Sequence, residues 1–89
     1  MAVQLRTVRQ FGKDLQKAKD RGKDDKLLWN IVDALLEGKP LDPRHRAHKL
    51  SGKWKDFWEC HIEPNWLLLW LDDGQSITLV RTGTHADLF

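Results

Sequence analysis

The chain has 89 residues, about two fifths of them apolar and nearly a third charged, which suits one globular domain spanning 1–89 and excludes a disordered tail or a second domain. Its longest apolar run, Trp66 to Leu71, is far below the ~20 residues of a membrane span, and no apolar stretch follows the start MAVQLRTVRQ, so a cytoplasmic protein without membrane contact is expected. The net charge of +2 hides an asymmetry: residues 1–53 carry thirteen Lys and Arg against seven Asp and Glu, whereas residues 54–89 carry two against six. A basic half in so small a domain fits contact with a phosphate backbone or an acidic partner, and also a set of solvated helix faces.

In chain order, Val3 to Val8 alternates apolar and polar residues and predicts a first strand with Val3, Leu5 and Thr7 on one side. From Arg9 to about Arg21 the period becomes helical, with Phe11, Leu15 and Ala18 inward, Lys13, Lys17, Lys19 and Arg21 outward, and Gly22 as the stop. Asp24 or Asp25 can cap a second helix with the apolar stripe Leu28, Ile31, Val32 and Leu35, interrupted at Gly38 and Pro40. Leu41 to Lys53 holds two histidines and one further proline without periodicity, and reads as a basic connecting loop.

From Trp54 a strand pattern sets Trp54, Asp56, Trp58, Cys60 and Ile62 against Lys55, Phe57, Glu59 and His61. Glu63-Pro64-Asn65 is a turn, Trp66 to Leu71 an apolar strand, and Asp72-Asp73-Gly74 a second turn. Ser76 to Thr82 makes the last strand, with Ile77, Leu79 and Arg81 on one side, and Thr84 to Phe89 closes as a helical turn. Trp54, Trp58, Trp66 and Trp70 are expected in the core. Cys60, without a partner cysteine, reads as a buried filler. The predicted fold class is α+β, two N-terminal helices packed on a small antiparallel sheet in the order β-α-α-β-β-β.

The stretch HKLSGKWKDFWECHIEPNWLLLW, followed by RTGTHADLF, closely resembles the YafQ-like toxins of the RelE superfamily. Their pattern is a histidine before Leu-x-Gly-x-Trp-Lys, an acidic residue ahead of His-x-x-Pro-Asp-Trp, then Arg-x-Gly-[Thr/Ser]-His and a terminal Leu-Phe. Several motifs agree together in order and spacing over Arg44 to Phe89, about half of the chain. The resemblance implies helices on one side of the sheet and an active concavity on the other. It further implies the toxin of a type II toxin–antitoxin system, a ribosome-dependent endoribonuclease that cuts messenger RNA and is held inactive by a cognate antitoxin. Its expected partners are that antitoxin, the ribosome and the message, with operator DNA reached only through the antitoxin.

Cutting RNA without a metal uses the neighbouring 2′-hydroxyl as nucleophile, so a base must take its proton, an acid must protonate the leaving 5′-oxygen, and a cation must hold the phosphorane charge. Histidine suits both proton roles near neutral pH. Carried over from the family motifs, His48 and His61 are the proton-transfer pair and His85 a further active-site histidine. Glu59 matches the acidic position two residues before His61 and can orient or charge that ring. Arg81 is implied as a phosphate clamp through its planar donors, with Lys53 and Lys55 as further RNA contacts. Phe89 matches the terminal aromatic near the substrate and can stack on a base. His45 has no counterpart in the pattern and reads as a solvated loop residue. No cofactor is expected, because no cysteine pair or HExxH helix supports a metal site and the histidines lie on different elements.

One position departs from the pattern: the family's Pro-Asp-Trp is here Pro64-Asn65-Trp66. An aspartate there could accept a proton or stabilise an imidazolium, whereas the asparagine amide offers only neutral hydrogen bonds. The tyrosines usual in the family are absent as well, with Phe57 and Trp70 at strand positions. The chain therefore also fits a second reading, a non-catalytic toxin-fold module that works through an antitoxin in a transcription-regulating complex.

Overall fold

The alternating segment at the start becomes strand β1, Gln4–Thr7, in a computed structural model that describes residues 3–89. Helix α1, Arg9–Asp20, follows at once, burying Phe11, Asp14 and Ala18. Gly22 sits at φ +89°, a left-handed turn that glycine adopts without a Cβ penalty, and the chain leaves the helix there as expected. Helix α2, Asp25–Leu36, is capped by the Asp24 carboxylate, which accepts from the Lys26 N–H at 3.0 Å. Its stripe of Leu28, Ile31 and Val32 is buried, each side chain contributing about 1.5–3 kcal/mol by leaving water.

The segment expected to be a featureless loop is ordered. It contains a 3-10 turn at Pro43–His45, a two-residue strand β2 at His48–Lys49, and a second 3-10 turn at Gly52–Trp54. Strand β3 is Trp58–Glu63, four residues later than the alternation suggested. A turn closed by the Phe57 N–H donating to the Trp54 carbonyl at 2.9 Å takes Trp54 to Phe57 out of the ladder, so Lys55 does not share a strand face with Glu59 and His61. Strands β4, Trp66–Asp72, and β5, Ser76–Gly83, complete the meander, and the short helix α3, His85–Leu88, ends it.

The five strands lie in the order β1-β5-β4-β3-β2. All neighbours are antiparallel except β1 and β5, so the sheet is mixed rather than wholly antiparallel. The parallel pair arises because β1 reaches β5 only after the helices and the whole meander have intervened, a crossover rather than a hairpin. One face packs on the helices, where Cys60, Ile62, Trp66, Leu68, Trp70, Ile77 and Leu79 join Phe11, Leu28, Ile31 and Val32 in one hydrophobic cluster. The opposite face carries Glu59, His61, Leu67, Leu69 and Arg81, paired across strands. Helices on one side of the sheet are as the resemblance implies.

Arg81 was expected beside Ile77 and Leu79 and is not there. A bulge shifts the β4–β5 register between Leu69 and Trp70, pairing Trp70 with Leu79 and Leu69 with Arg81, so Val80 is the extra residue. Leu79 therefore faces the helices while Arg81 faces the other way. Beyond Thr7, β1 no longer covers the edge of β5, and the Asp14 carboxylate takes its place. It accepts from the Thr82 N–H at 3.2 Å, from Arg81 Nε at 2.6 Å and Nη2 at 3.3 Å, and from Gln10 Nε2 at 2.9 Å. Thr82 in turn accepts from Trp66 Nε1 at 2.9 Å and donates to the Leu67 carbonyl at 2.7 Å.

An Asp14→Ala substitution strands these donors at the sheet edge. We expect it to lower unfolding stability by about 2 kcal/mol, the scale of charge-assisted hydrogen bonds lost without replacement. Urea titration gives the measurement, and an unchanged midpoint would show that Asp14 does not hold α1 to β5.

Candidate active site

On the face away from the helices, Glu59 is 5% exposed and lies opposite His48 on β2 and Leu69 on β4. Its Oε1 is 3.6 Å from His48 Nε2 and 3.8 Å from His61 Nε2, so two imidazoles on neighbouring strands turn the same nitrogen toward one carboxylate oxygen. Their other nitrogens are held by the main chain. His48 Nδ1 is 2.6 Å from the Arg46 carbonyl and His61 Nδ1 is 3.3 Å from the Pro64 carbonyl. A carbonyl can only accept, so each Nδ1 carries the hydrogen, and in the neutral ring each Nε2 presents a lone pair. The main chain thereby selects the tautomer able to take a proton at Nε2. Arg46 adopts the left-handed conformation at φ +49° that aims its carbonyl back at His48.

His85 reaches this cluster from α3, its ring centroid 6.1 Å from that of His61. A helix of four residues does not stand alone, and this one is secured at its start. Thr84 accepts from the Asp87 N–H at 3.1 Å while Asp87 accepts from the Thr84 N–H at 3.0 Å, a reciprocal capping box. Arg21 Nη1 donates to Asp87 at 2.9 Å and Lys17 Nζ lies 3.5 Å from it, tying α3 to the end of α1. The Thr84 N–H and then the Arg21 guanidinium hold the Asp87 carboxyl well below the usual carboxylate range. Gly83 is needed beside it, since a Cβ there would meet the Asp87 side chain at 3.0 Å.

The remaining expected residues are placed less uniformly. Phe89 follows α3 with its ring 5.8 Å from His85 and half exposed, next to the cluster. Arg81 lies on the same sheet face in the row His48, Glu59, Leu69, Arg81, but two of its nitrogens are committed to Asp14. Lys53 and Lys55 are exposed on and just after the second 3-10 turn, and Asn65 is exposed in the two-residue turn between β3 and β4. Cys60 is buried, and burial, helped by the Glu59 charge, pushes its thiol up to about 12, which suits a core filler.

Two sequence expectations are corrected. His45 is half-buried rather than solvated, its Nδ1 donating to the His61 carbonyl at 2.6 Å and so tying the loop to the irregular end of β3. Trp54 lies outside the core cluster and packs edge-on against Phe57 and Phe89 instead, because its 3-10 turn lifts it off the strand. Asp14 and Asp87 were not singled out at all. A signal existed for Asp14, an acidic residue at helical spacing within the apolar stripe of Phe11, Leu15 and Ala18.

The family model for the bacterial toxin of type II toxin–antitoxin systems, YafQ, matches residues 3–89. This chain belongs to the YafQ family. The mRNA interferase toxin YafQ of Escherichia coli K12 is 36% identical over 81 residues, covering 90% of this chain and 88% of that protein. A copper-bound mutant toxin from Helicobacter pylori superposes with a TM-score of 0.93 at 39% identity, over 98% of this chain and 99% of the other. YafQ from the Escherichia coli DinJ–YafQ toxin–antitoxin complex gives a TM-score of 0.92 at 32% identity, over 100% and 99%. This YafQ-family chain therefore shares with these toxins an α+β fold of helices on a five-stranded mixed sheet. Among its described residues, no group of three or more His, Cys, Asp or Glu side chains is arranged to hold a metal ion, and no helix is long and apolar enough to cross a membrane.

The attachment of α3 has a pH signature. Because the folded Asp87 carboxyl is held low, it adds stability above its unfolded value, and that stability is lost as pH falls. The melting-temperature gap between wild type and Asp87→Asn should be constant above about pH 5 and close progressively below about pH 4. A gap independent of pH would rule out the charged latch.

Proposed function

We propose that this chain is a toxin that cleaves messenger RNA on the ribosome in the cytoplasm, inhibits translation, and is silenced by a cognate antitoxin. The single observation that carries the chemistry is the pair of Nε2 atoms of His48 and His61 facing the buried Glu59 carboxylate, with His85 beside them. Membership of the YafQ family and the mRNA interferase relatives support the choice of substrate, and the DinJ–YafQ complex supports an antitoxin partner.

In this reading one imidazole takes the proton of the 2′-hydroxyl as its oxygen attacks the adjacent phosphorus. The other returns a proton to the departing 5′-oxygen, leaving a 2′,3′-cyclic phosphate and a 5′-hydroxyl. Glu59 lies against both Nε2 atoms and balances positive charge that passes between the rings. Lys53 and Lys55 supply phosphate contacts, as does the Arg81 nitrogen that Asp14 leaves unbound, and Phe89 lies where a base would pass. No step calls for a metal ion.

The alternative, a toxin fold that binds its antitoxin and cuts nothing, is favoured by Asn65, which puts an amide in the turn where the family has a carboxylate. The two readings separate on mapped message 5′ ends after expression in cells. Cleavage by the wild-type chain supports the enzyme, and intact messages with a folded, antitoxin-binding protein support the module. His61→Ala and His85→Ala should each lower the cleavage rate by roughly a hundred- to ten-thousand-fold while melting with the wild type. Loss of folding in both would count against their catalytic role. Asn65→Asp should raise the rate by about tenfold or more.

A further inference from the structure

His48 has little regular structure to hold it at Glu59. Its strand β2 is two residues long and pairs with β3 no further than Glu59, and just beyond it the Leu50 N–H donates to the Phe57 carbonyl at 2.9 Å. Ahead of it comes the 3-10 turn Pro43–His45, closed by the Arg46 N–H donating to the Pro43 carbonyl at 3.1 Å, and then the left-handed Arg46 itself. Arg46 thus uses its N–H inside the turn, and β2 does not extend to cover β3 past Glu59. The half-buried His45 ring fills that place, its Nδ1 donating to the His61 carbonyl at 2.6 Å.

This bond links the two proton-transfer residues. Its acceptor is the main chain of His61, and its donor is the neighbour of Arg46, whose carbonyl accepts from His48 Nδ1 at 2.6 Å. A left-handed conformation at a residue other than glycine is strained and persists only where its surroundings hold it. The surroundings of Arg46 are the turn before it and His48 after it, and His45 is what fastens that turn to the sheet.

We propose that His45 is a positioning residue: by clamping the turn to the His61 carbonyl it keeps Arg46 left-handed and so sets the tautomer and aim of His48. The consequence for cleavage rests on the RNA-cutting reading, whereas the positioning does not. Nδ1 suits the task because it lies close to its own main chain, so its bond fixes the turn as well as the ring. It donates equally from the neutral Nδ1–H ring and from the protonated one, so the clamp does not depend on charge. His45 precedes the family motif, which begins at His48, and for that reason the motif gives it no role.

The test compares His45→Ala, His45→Asn and His45→Gln in the full chain. An asparagine amide nitrogen lies near the place of Nδ1 and a glutamine amide nitrogen near that of Nε2, so asparagine alone can restore the bond. Imidazole 15N spectra, recorded at a pH where the rings are neutral, read the tautomers without any RNA. His48 should carry its hydrogen on Nδ1 in the wild type and in His45→Asn, and should populate both tautomers in His45→Ala and His45→Gln. His61, held by the Pro64 carbonyl, should keep Nδ1–H in every variant. In single-turnover cleavage of message on programmed ribosomes, the maximal rate should fall roughly tenfold to a hundredfold for the alanine and glutamine variants and return to within about threefold with asparagine, with half-saturation little changed. The comparison of asparagine with glutamine keeps the test decisive if His45→Ala fails to fold. An unaltered His48 tautomer in His45→Gln, or equal loss of rate in His45→Asn and His45→Gln, would overturn the positioning role. A wild-type protein that cuts no message would overturn the cleavage reading alone, and the tautomer spectra would still decide the role of His45.

Discussion

Four donors meet on the Asp14 carboxylate: the Thr82 N–H, two nitrogens of Arg81 and the side chain of Gln10. Strand β1 stops pairing with β5 at Thr7, and without a replacement the last residues of β5 would present an open edge. A side chain from α1 performs there the work of a missing strand. This fixes the end of β5 against α1, and from that end the chain passes through Gly83 into α3, which brings His85 and Phe89 to the histidine cluster. The second tie, Asp87 to Arg21 and Lys17, uses the same helix. Helix α1 is therefore more than cover for the core: it sets where the last structural element of the chain can lie.

The strength of the arrangement on the other face comes from the main chain. Three histidines donate from Nδ1 to carbonyl oxygens, at Arg46, Pro64 and His61. For His48 and His61 this aims Nε2 at Glu59, whose burial is sustained by the strands around it. A carbonyl only accepts, so it fixes the tautomer of the neutral ring. Backbone shape serves this purpose, through the left-handed Arg46 and the turn at Pro64.

Periodicity made much of this legible in the sequence. Phe11, Leu15 and Ala18, and then Leu28, Ile31 and Val32, announce two helices whose contacts are those observed, and the turns at Pro64-Asn65 and around Gly74 divide the meander correctly. Family motifs identified His48, Glu59, His61 and His85, which do converge. What stayed hidden has particular causes. Val80 looks like any strand residue, so nothing local announces the bulge that turns Arg81 to the far face. Trp54 to Phe57 alternates as a strand would, but Gly52 and the turn bond from Phe57 to Trp54 decide otherwise. His45 lies in a polar segment whose partner, the His61 carbonyl, is a backbone atom that no sequence pattern names. Pairings between a side chain and distant backbone are set by the assembled fold and leave little trace in composition.

The three histidines of the site differ in how they are moored. His61 stands on β3, paired along its length with β4, while His48 belongs to a strand of two residues and His85 to a helix of four. Stability is uneven across such a structure, and elements this short open at much lower cost than the strand between them. The centre thus consists of one fixed member and two tethered ones. Displacing either tether would part the imidazoles while the sheet stays folded.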